Sequence, residues 1–226
     1  MPLKNYIYLS LILILSAPIF LMAENFFNII NTSDNSIQIH FELPSWSMER
    51  NEANNLSSVK IDDVPYLFLE ETETLPVFST MIAIPCQGGV SIQINSTQQN
   101  IQNQIKLNFD SLLSSEKANG RYNEELYPAS SVVISEPQIM RDFRIVTLNI
   151  YPFQYDQSKQ VLFISEFIDI QLIYDNQPSI NEIDPPLNLS PAFANIYPAL
   201  ILNYEQFITR DEITYSRPRM LVIYGN

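Results

Sequence analysis

Cys86 and His40 are the only cysteine and the only histidine of the chain, and a nucleophile–base pair would have to be built from them. A thiol nucleophile needs a base within hydrogen-bond reach. Cys86 follows the apolar segment IAIP and precedes QGG, whereas His40 lies far upstream in IQIHFEL. The histidine alternates with apolar residues, so we expect it on the solvated face of a strand. The pattern favours a partly exposed loop thiol over a catalytic dyad.

Pairs of adjacent carboxylates are the other candidates for chemistry. They are Asp62-Asp63, Glu70-Glu71 and Glu124-Glu125. Neighbouring side chains of a strand point to opposite faces, which favours solvated loop charge over an acid–base pair. One histidine and one cysteine cannot form a zinc site, and neither an EF-hand spacing nor a glycine-rich phosphate loop is present. We therefore predict no cofactor and no metal site, with calcium binding by carboxylates alone left open.

The charge balance excludes one class of partner. The chain carries 12 lysines and arginines against 25 acidic residues, a net charge of −13. Binding to nucleic acid needs a cluster of basic residues that neutralises phosphates, and the sequence has none. Acidity of this size is mainly a solubility feature.

The amino terminus reads as a targeting segment. Lys4 precedes an apolar run over residues 6–22, and Ala23 supplies a small residue at a plausible cleavage point. An uncleaved membrane anchor is the alternative, but Ser16, Ala17 and Pro18 interrupt the run. We predict a signal peptide over residues 1–23. The chain is then exported to the periplasm, the cell surface or the medium, and it meets a membrane only during export.

A period of two predicts the fold class. Val146, Leu148 and Ile150 alternate with polar residues. The later run again has apolar residues at even positions and includes Asp169 and Gln171 at odd ones; the apolar residues are Leu162, Ile164, Ile168, Ile170, Leu172 and Tyr174. We expect these two runs to form one long hairpin with residues 152–159 as its connection, against which other strands pack. Among those, residues 90–94 read as a strand and residues 95–103 as a polar, Asn/Gln-rich stretch. The prediction is all-β, an antiparallel two-sheet sandwich over residues 24–176.

The remainder of the chain has a different character. Residues 177–217 read as a proline-containing linker and then a helical segment, with Ser190 as N-cap and Pro191 at the first helical position. Phe193, Ile196, Tyr197, Leu200 and Ile201 recur at helical spacing and would form its buried face. Pro198 must kink or split this helix. Residues 218–226 contain MLVIY, an apolar run typical of a buried parallel strand.

Several stretches of the chain resemble a known family. They are LPVFSTMIAIP from Leu75, two Tyr-Pro dipeptides at Tyr127 and Tyr151, RDFR at residues 141–144, IDIQLIY ending at Tyr174, and SPAFANIYPALILNY from Ser190. Together they resemble the prodomain of the gingipain-type cysteine peptidases, peptidase family C25. The resemblance implies that residues 218–226 are the first strand of a truncated α/β peptidase domain. It also implies that this chain is not itself an enzyme.

The resemblance implies a function and a set of residues. A prodomain of this kind keeps the catalytic domain of the same polypeptide latent, assists its folding, and places a basic loop residue in the specificity pocket. Arg121, after the flexible Gly120, is the first candidate, and Lys117 is the second. An ordinary surface charge at Arg121 is the alternative. Arg210, Arg217 and Arg219 are candidate processing sites, of which Arg210 is preferred because Arg217 precedes a proline.

A second function of another class also fits the composition. An acidic, Asn-rich β-sandwich suits a stand-alone extracellular module for adhesion or surface binding. Such a module would leave the apolar run MLVIY with nothing to bury it. The prodomain hypothesis explains that run and is preferred.

Overall fold

The structure, a computed structural model, describes residues 26–62, 64–69, 72–107, 126–185, 189, 192–193 and 195–207. Within these ranges the regular elements are mostly strands. They are β1 Phe27–Ser33, β2 Ser36–Glu42, β3 Ser47–Asn51, β4 Leu56–Lys60, β5 Tyr66–Leu69, β6 Thr72–Pro76, β7 Phe78–Ile84, β8 Val90–Asn103, β9 Val132–Ile134, β10 Gln138–Met140, β11 Phe143–Ile150, β12 Phe153–Asp156, β13 Val161–Tyr174, the helix α1 Tyr197–Leu200 and a 3₁₀ turn Tyr204–Phe207. The predicted all-β class is confirmed.

Two larger antiparallel sheets organise the fold. Sheet I has the order β1-β2-β13-β12, with β8 on the other side of β13. Sheet II has the order β10-β11-β7, with β9 also pairing with β11. Two separate hairpins, β3–β4 and β5–β6, are added to them. The strand β13 is the centre of sheet I, since it pairs with β8 along its whole length.

One hydrophobic core joins the two sheets, and the alternation read from the sequence marks its members. The residues that β11 and β13 contribute to this core are those predicted, Val146, Leu148, Ile150, Leu162, Ile164, Ile168, Ile170, Leu172 and Tyr174. From β2 and β7, Phe41 and Phe78 meet edge to face with their ring centroids 4.9 Å apart. The two larger sheets therefore pack as a sandwich, with the apolar side of each strand inside.

The predicted long hairpin is wrong, because β11 and β13 belong to different sheets. The chain crosses between the sheets at Tyr151 and Pro152. The Tyr151 N–H donates to the Ser131 carbonyl at 2.8 Å, whereas the Pro152 carbonyl accepts from the Ser165 N–H of β13 at 2.8 Å. The strand that forms a hairpin with β13 is β12, which lies inside the predicted connection. A period of two reports which face of a strand is buried and says nothing about its neighbour.

The predicted helix is also shorter than expected. The α-helix begins at Tyr197 with a proline in its first turn and ends at Leu200. Pro198 therefore lies in the first turn of the helix, which suits its fixed φ and missing N–H, and does not kink a longer helix. Of the expected buried face, Tyr197 and Ile201 are buried, but Ile196 and Leu200 are each 43% exposed. Ser190 and Pro191 lie outside the described residues.

The described residues from Leu189 to Phe207, which we call the carboxyl-terminal segment, cover sheet II from outside. Tyr197 and Ile201 pack with Phe143 and Ile145 of β11 in a second apolar cluster. The Phe143 and Tyr197 rings lie 4.8 Å apart, edge to face. The strand β11 therefore places Val146, Leu148 and Ile150 in the central core, while Phe143 and Ile145 at its start are buried on the other face under the carboxyl-terminal segment.

Candidate functional site

The predicted inhibitory residues Lys117 and Arg121 lie outside the described part of the chain, and so do the predicted processing sites Arg210, Arg217 and Arg219. What the structure describes is the attachment of the segment that carries the first two. This segment, residues 108–125, follows Leu107 and precedes Leu126. We call it the basic segment after its two basic residues, Lys117 and Arg121, and not for its net charge.

The start of the basic segment is fixed to two neighbouring elements. The backbone bends at Gln104, which has a φ of 60°. The Ile105 N–H then donates to the Gln160 carbonyl at 3.0 Å, and the Lys106 carbonyl accepts from the Ser57 N–H at 2.7 Å. Leu107 is buried and forms a parallel bridge with Ser57 of β4. Three consecutive residues are thus held before the segment begins.

The end of the basic segment is fixed just as firmly. The N–H of Tyr127 donates to the Tyr155 carbonyl at 3.0 Å, and the Tyr155 N–H donates back to the Tyr127 carbonyl at 2.7 Å. The Gln154 side chain donates to the Pro128 carbonyl at 2.8 Å. Tyr127 is 1% exposed. The chain therefore re-enters the fold by pairing with β12.

Tyr155 joins the two ends. While its backbone pairs with Tyr127, its hydroxyl donates to the Ile105 carbonyl at 2.8 Å. Both ends of the basic segment are consequently attached to the hairpin of β12 and β13. The residues on either side of the basic segment thus form a buried, hydrogen-bonded base.

The turn of that hairpin is stabilised by a buried carboxylate. Asp156 accepts hydrogen bonds from the Ser158 hydroxyl at 2.7 Å and the Lys159 ammonium at 2.8 Å. The backbone N–H of Lys159 donates to the same carboxylate at 2.9 Å. Burial by itself would raise the pKa of Asp156, but the bonds from Lys159 and Ser158 outweigh it and lower the pKa to about 2. The carboxylate is therefore ionised at neutral pH and holds the turn closed.

The structure places Cys86 and His40 in different elements, the turn after β7 and the strand β2. The Nδ1 atom of His40 lies 2.6 Å from the Asp169 carboxylate, which also accepts from the Ser96 hydroxyl. Cys86 is partly buried in the turn after β7, as predicted, and burial raises the pKa of its thiol. A protonated thiol is a poor nucleophile. Among the described residues, no three His, Cys, Asp or Glu side chains come together to hold a metal ion.

Arg144 is an important residue that the sequence reasoning missed. It is 1% exposed. Its guanidinium donates to the carbonyl oxygens of Pro85 at 3.1 Å, Gly88 at 2.7 Å and Ile180 at 2.8 Å. These bonds tie the turn between β7 and β8 to the chain that follows β13. The signal was present, because Arg144 has the same parity in its strand as the buried residues Val146 and Leu148.

The described strands form an all-β, two-sheet domain, and the family that it matches is one of propeptides and not of catalytic domains. A model of the C25 propeptide family, Propeptide_C25, matches residues 67–208, and the chain belongs to that family. No curated protein matches the chain.

Two solved structures are similar to the chain. One is a complex of the pro- and mature domains of RgpB from Porphyromonas gingivalis, at 16% identity and a TM-score of 0.63, covering 80% of this chain and 97% of that one. The other concerns the zymogenic latency of gingipain K from the same organism, at 17% identity and a TM-score of 0.49, covering 66% and 92%. The first supports the fold assignment.

In the part of the chain that the structure describes, no helix is long and apolar enough to cross a membrane. The predicted signal peptide, residues 1–23, lies outside that part.

Proposed function

We propose that the chain is an exported propeptide that keeps a C25-type cysteine peptidase latent by placing its basic segment in the active-site cleft. The observation that carries this proposal is the double attachment of the segment through Tyr155. Family membership supplies the partner, the catalytic domain of the same precursor. The solved complex of RgpB pro- and mature domains is a relative in which a prodomain and its peptidase are bound together.

The base of the basic segment suits an inhibitor. A flexible loop that becomes ordered on binding costs conformational entropy, and fixing its ends before binding reduces that cost. Here both ends are hydrogen-bonded to the β12–β13 hairpin. The segment can therefore enter a cleft in an extended, substrate-like form without disturbing the core.

Within the segment, Arg121 is proposed to enter the primary specificity pocket, and Lys117 is the second candidate. A guanidinium is planar and can form two parallel hydrogen bonds with a carboxylate, which an ammonium cannot. Gly120 gives the preceding backbone freedom to take an extended shape. The contact would be a charge-assisted hydrogen bond removed from water, the kind of contact that dominates tight interfaces.

An inhibition assay tests the proposal. The purified propeptide, mixed with its C25-type catalytic domain, should inhibit hydrolysis of a peptide substrate with a nanomolar-range constant, as standard-size protease–inhibitor interfaces do. Arg121→Ala should weaken inhibition at least about thirtyfold, because loss of a central contact costs about 2 kcal/mol or more. Lys117→Ala should have a smaller effect, and Arg50→Ala, an exposed residue of the β3–β4 hairpin, is the control. Equal inhibition by all variants would remove Arg121 from this role.

We also propose that the chain assists the folding of the peptidase and is removed by cleavage at basic residues. The prodomain proper is assigned to residues 24–176 and the linker with its helical segment to residues 177–217. Arg210 is the preferred processing site, with Arg217 and Arg219 as alternatives. Residues 1–23 are proposed to direct export, with the product in the periplasm, at the cell surface or in the medium. The amino-terminal sequences of the secreted propeptide and the mature peptidase test these assignments.

A further inference from the structure

The strand β8 forms one edge of sheet I and is unusually long. It has 14 residues, from Val90 to Asn103, and it pairs with β13. Among the described residues, no strand pairs with its other side. An antiparallel edge strand directs every second N–H and C=O group away from its neighbour, so these groups form a template for one more strand.

The usual means of protecting an edge are largely missing from β8. Proteins protect long edges with charged residues, prolines, bulges or a covering segment. The sequence VSIQINSTQQNIQN of β8 contains no charged residue and no proline. The pairing has two irregularities, at Asn95 on β8 and at Glu166 on β13, and residues 96–103 of β8 are all paired with β13. Ile94 and Ile101 are 43% and 57% exposed, respectively.

Side-chain bonds to β13 hold this edge in its extended form. Gln98 and Asn100 both donate to the carboxylate of Glu166. Ser96 donates to the carboxylate of Asp169, and the Thr97 hydroxyl donates to the Phe167 carbonyl at 3.0 Å. An ordered strand loses little entropy when a second strand is added to it. The edge is therefore prepared for pairing.

The position of β8 identifies the partner. The strand ends at Asn103, the backbone bends at Gln104, and the basic segment begins after Leu107. The residues that flank the basic segment are held by Gln160 and Tyr155 near the carboxyl-terminal end of β8, so a protein that binds the segment close to its base would approach that end of the strand. The edge of β8 thus continues the surface already assigned to the peptidase.

We propose that an extended segment of the C25-type catalytic domain adds to the free edge of β8 as a further strand of sheet I. This inference rests on the proposed function and gives the propeptide a second contact besides the basic segment. Main-chain hydrogen bonds supply affinity in such strand additions and tolerate sequence change in the partner. The uncharged side chains of β8 allow the partner strand to approach without burying an unpaired charge.

The matched isoleucines of the two edges of sheet I provide the test. Ile101 of β8 and Ile30 of β1 are each 57% exposed. Ile101→Lys and Ile101→Glu, in the full propeptide, should each raise the inhibition constant about tenfold, the effect of losing one to two main-chain hydrogen bonds. Ile30→Lys and Ile30→Glu should leave the constant unchanged. If lysine and glutamate at position 101 weaken inhibition alike, the cause is blocked pairing and not a charge interaction with the partner. Thermal unfolding verifies that all four variants are folded.

Hydrogen exchange gives a second readout that is specific to strand addition. In the free propeptide, alternate amides of residues 96–103 should exchange fast, because they point away from β13. In the complex with the catalytic domain, those same alternate amides should become protected. Protection of these outward amides all along residues 96–103, and its loss in the Ile101 variants, distinguishes strand addition from contact at a few side chains.

Each remaining outcome overturns the inference in a distinct way. If the wild-type propeptide inhibits and Ile101 variants inhibit equally well without new amide protection, the proposed function stands and strand addition is wrong. If alternate protection appears in the propeptide alone at high concentration and the Ile101 variants lose it, the edge pairs with a second copy instead. If the wild-type propeptide does not inhibit at all, the proposed function fails and the inference fails with it.

Discussion

The strands β7 and β8 follow each other in the chain, and each lies at the edge of its sheet. Among the described residues, the edge of β7 is covered and the edge of β8 is open. The edge of β7 is covered by the carboxyl-terminal segment, with Ile201 bridging to Met81 and the Leu202 N–H donating to the Met81 carbonyl at 2.9 Å. The edge of β8, in the described part of the chain, is left open. Within the described residues, the chain therefore closes the edge of β7 and not that of β8.

The Asn203 side chain makes the same hydrogen bonds to β7 that a neighbouring strand would make. Its side-chain amide accepts from the Ala83 N–H at 2.8 Å and donates to the Ala83 carbonyl at 2.9 Å. These are the two bonds that a paired residue of a neighbouring strand would make. A primary amide carries both a donor and an acceptor and can replace a peptide group here. The covered edge therefore has no site left for a partner at Ala83.

The turn between the two strands separates the covered edge from the open one, and Arg144 holds it. The guanidinium bonds to Pro85 and Gly88 in the turn and to Ile180 in the chain after β13. On the other side of the turn, the Glu182 carboxylate accepts from the Gly88 N–H at 3.0 Å. Gly88 has a φ of 90°, and a Cβ there would lie 2.1 Å from the Asp175 carbonyl oxygen. The turn accordingly has little freedom to change.

The largest expected effect follows from removing this arginine. Arg144→Ala leaves three carbonyl oxygens in a buried site without their donor and creates a cavity, which should lower the free energy of unfolding by about 3 kcal/mol or more. Urea unfolding measures it. Arg144→Lys keeps the charge but cannot reach all three oxygens, and we expect an intermediate loss. Arg141→Ala, three residues away and 57% exposed, is the control. A loss in Arg144→Ala no larger than in this control would contradict the role of the guanidinium.

A smaller effect should follow from opening the covered edge. Asn203→Ala removes both bonds to Ala83 and leaves a buried N–H and C=O unpaired, at a cost of about 1–3 kcal/mol in the free energy of unfolding. Asn203→Asp can still accept from the Ala83 N–H but places a carboxylate beside its carbonyl oxygen, so it should not restore stability. Glu205→Ala, exposed in the neighbouring turn, is the control. If Asn203→Asp were as stable as the wild type, the two-bond account of the β7 edge would be wrong.

The sequence predicted the faces of the strands well, because alternation is a local property. The buried even positions of β11 and β13 followed from a period of two. The same period implied a buried Arg144, which the charge of the side chain concealed. The polar stretch at residues 95–103 was not recognised as part of β8, because its order depends on side-chain bonds to Glu166 and Asp169, which are remote in sequence.

Pairing between strands was beyond local reasoning. The sheet assignments of β11 and β13 depend on a crossing at Pro152, and the alternation pattern is the same with or without it. The helix was too long because Pro198 was expected inside it, as a kink or a break, whereas this proline lies in the first turn of a short helix. For the site, Lys117 and Arg121 remain predictions, whereas the attachment of their segment through Tyr155 required tertiary contacts.

The smallest expected effect concerns the link between the open edge and the rest of sheet I. Asp169 of β13 accepts from Ser96 of β8 and from His40 of β2, and these hydrogen bonds hold the pKa of its carboxyl below the ordinary value of 3.8. Because the pKa is lower in the folded state, the stabilisation is complete above pH 3.8 and is lost as the pH falls through the folded-state pKa. Asp169→Asn should therefore cost about 1 kcal/mol in urea unfolding at neutral pH, and this difference should shrink in acid.

Asp34→Asn, in the exposed turn between β1 and β2, is the control for that measurement. Hydrogen exchange sharpens the test, because the Asp169 variant should speed the exchange of the β8 amides that are bonded to β13 near Ser96. Amides of β7, whose edge is closed by the carboxyl-terminal segment, should exchange at the wild-type rate. If the stability difference stayed constant from neutral pH into acid, the carboxylate would not be the anchor of β8, and the side chains of Gln98 and Asn100 on Glu166 would have to order the open edge alone.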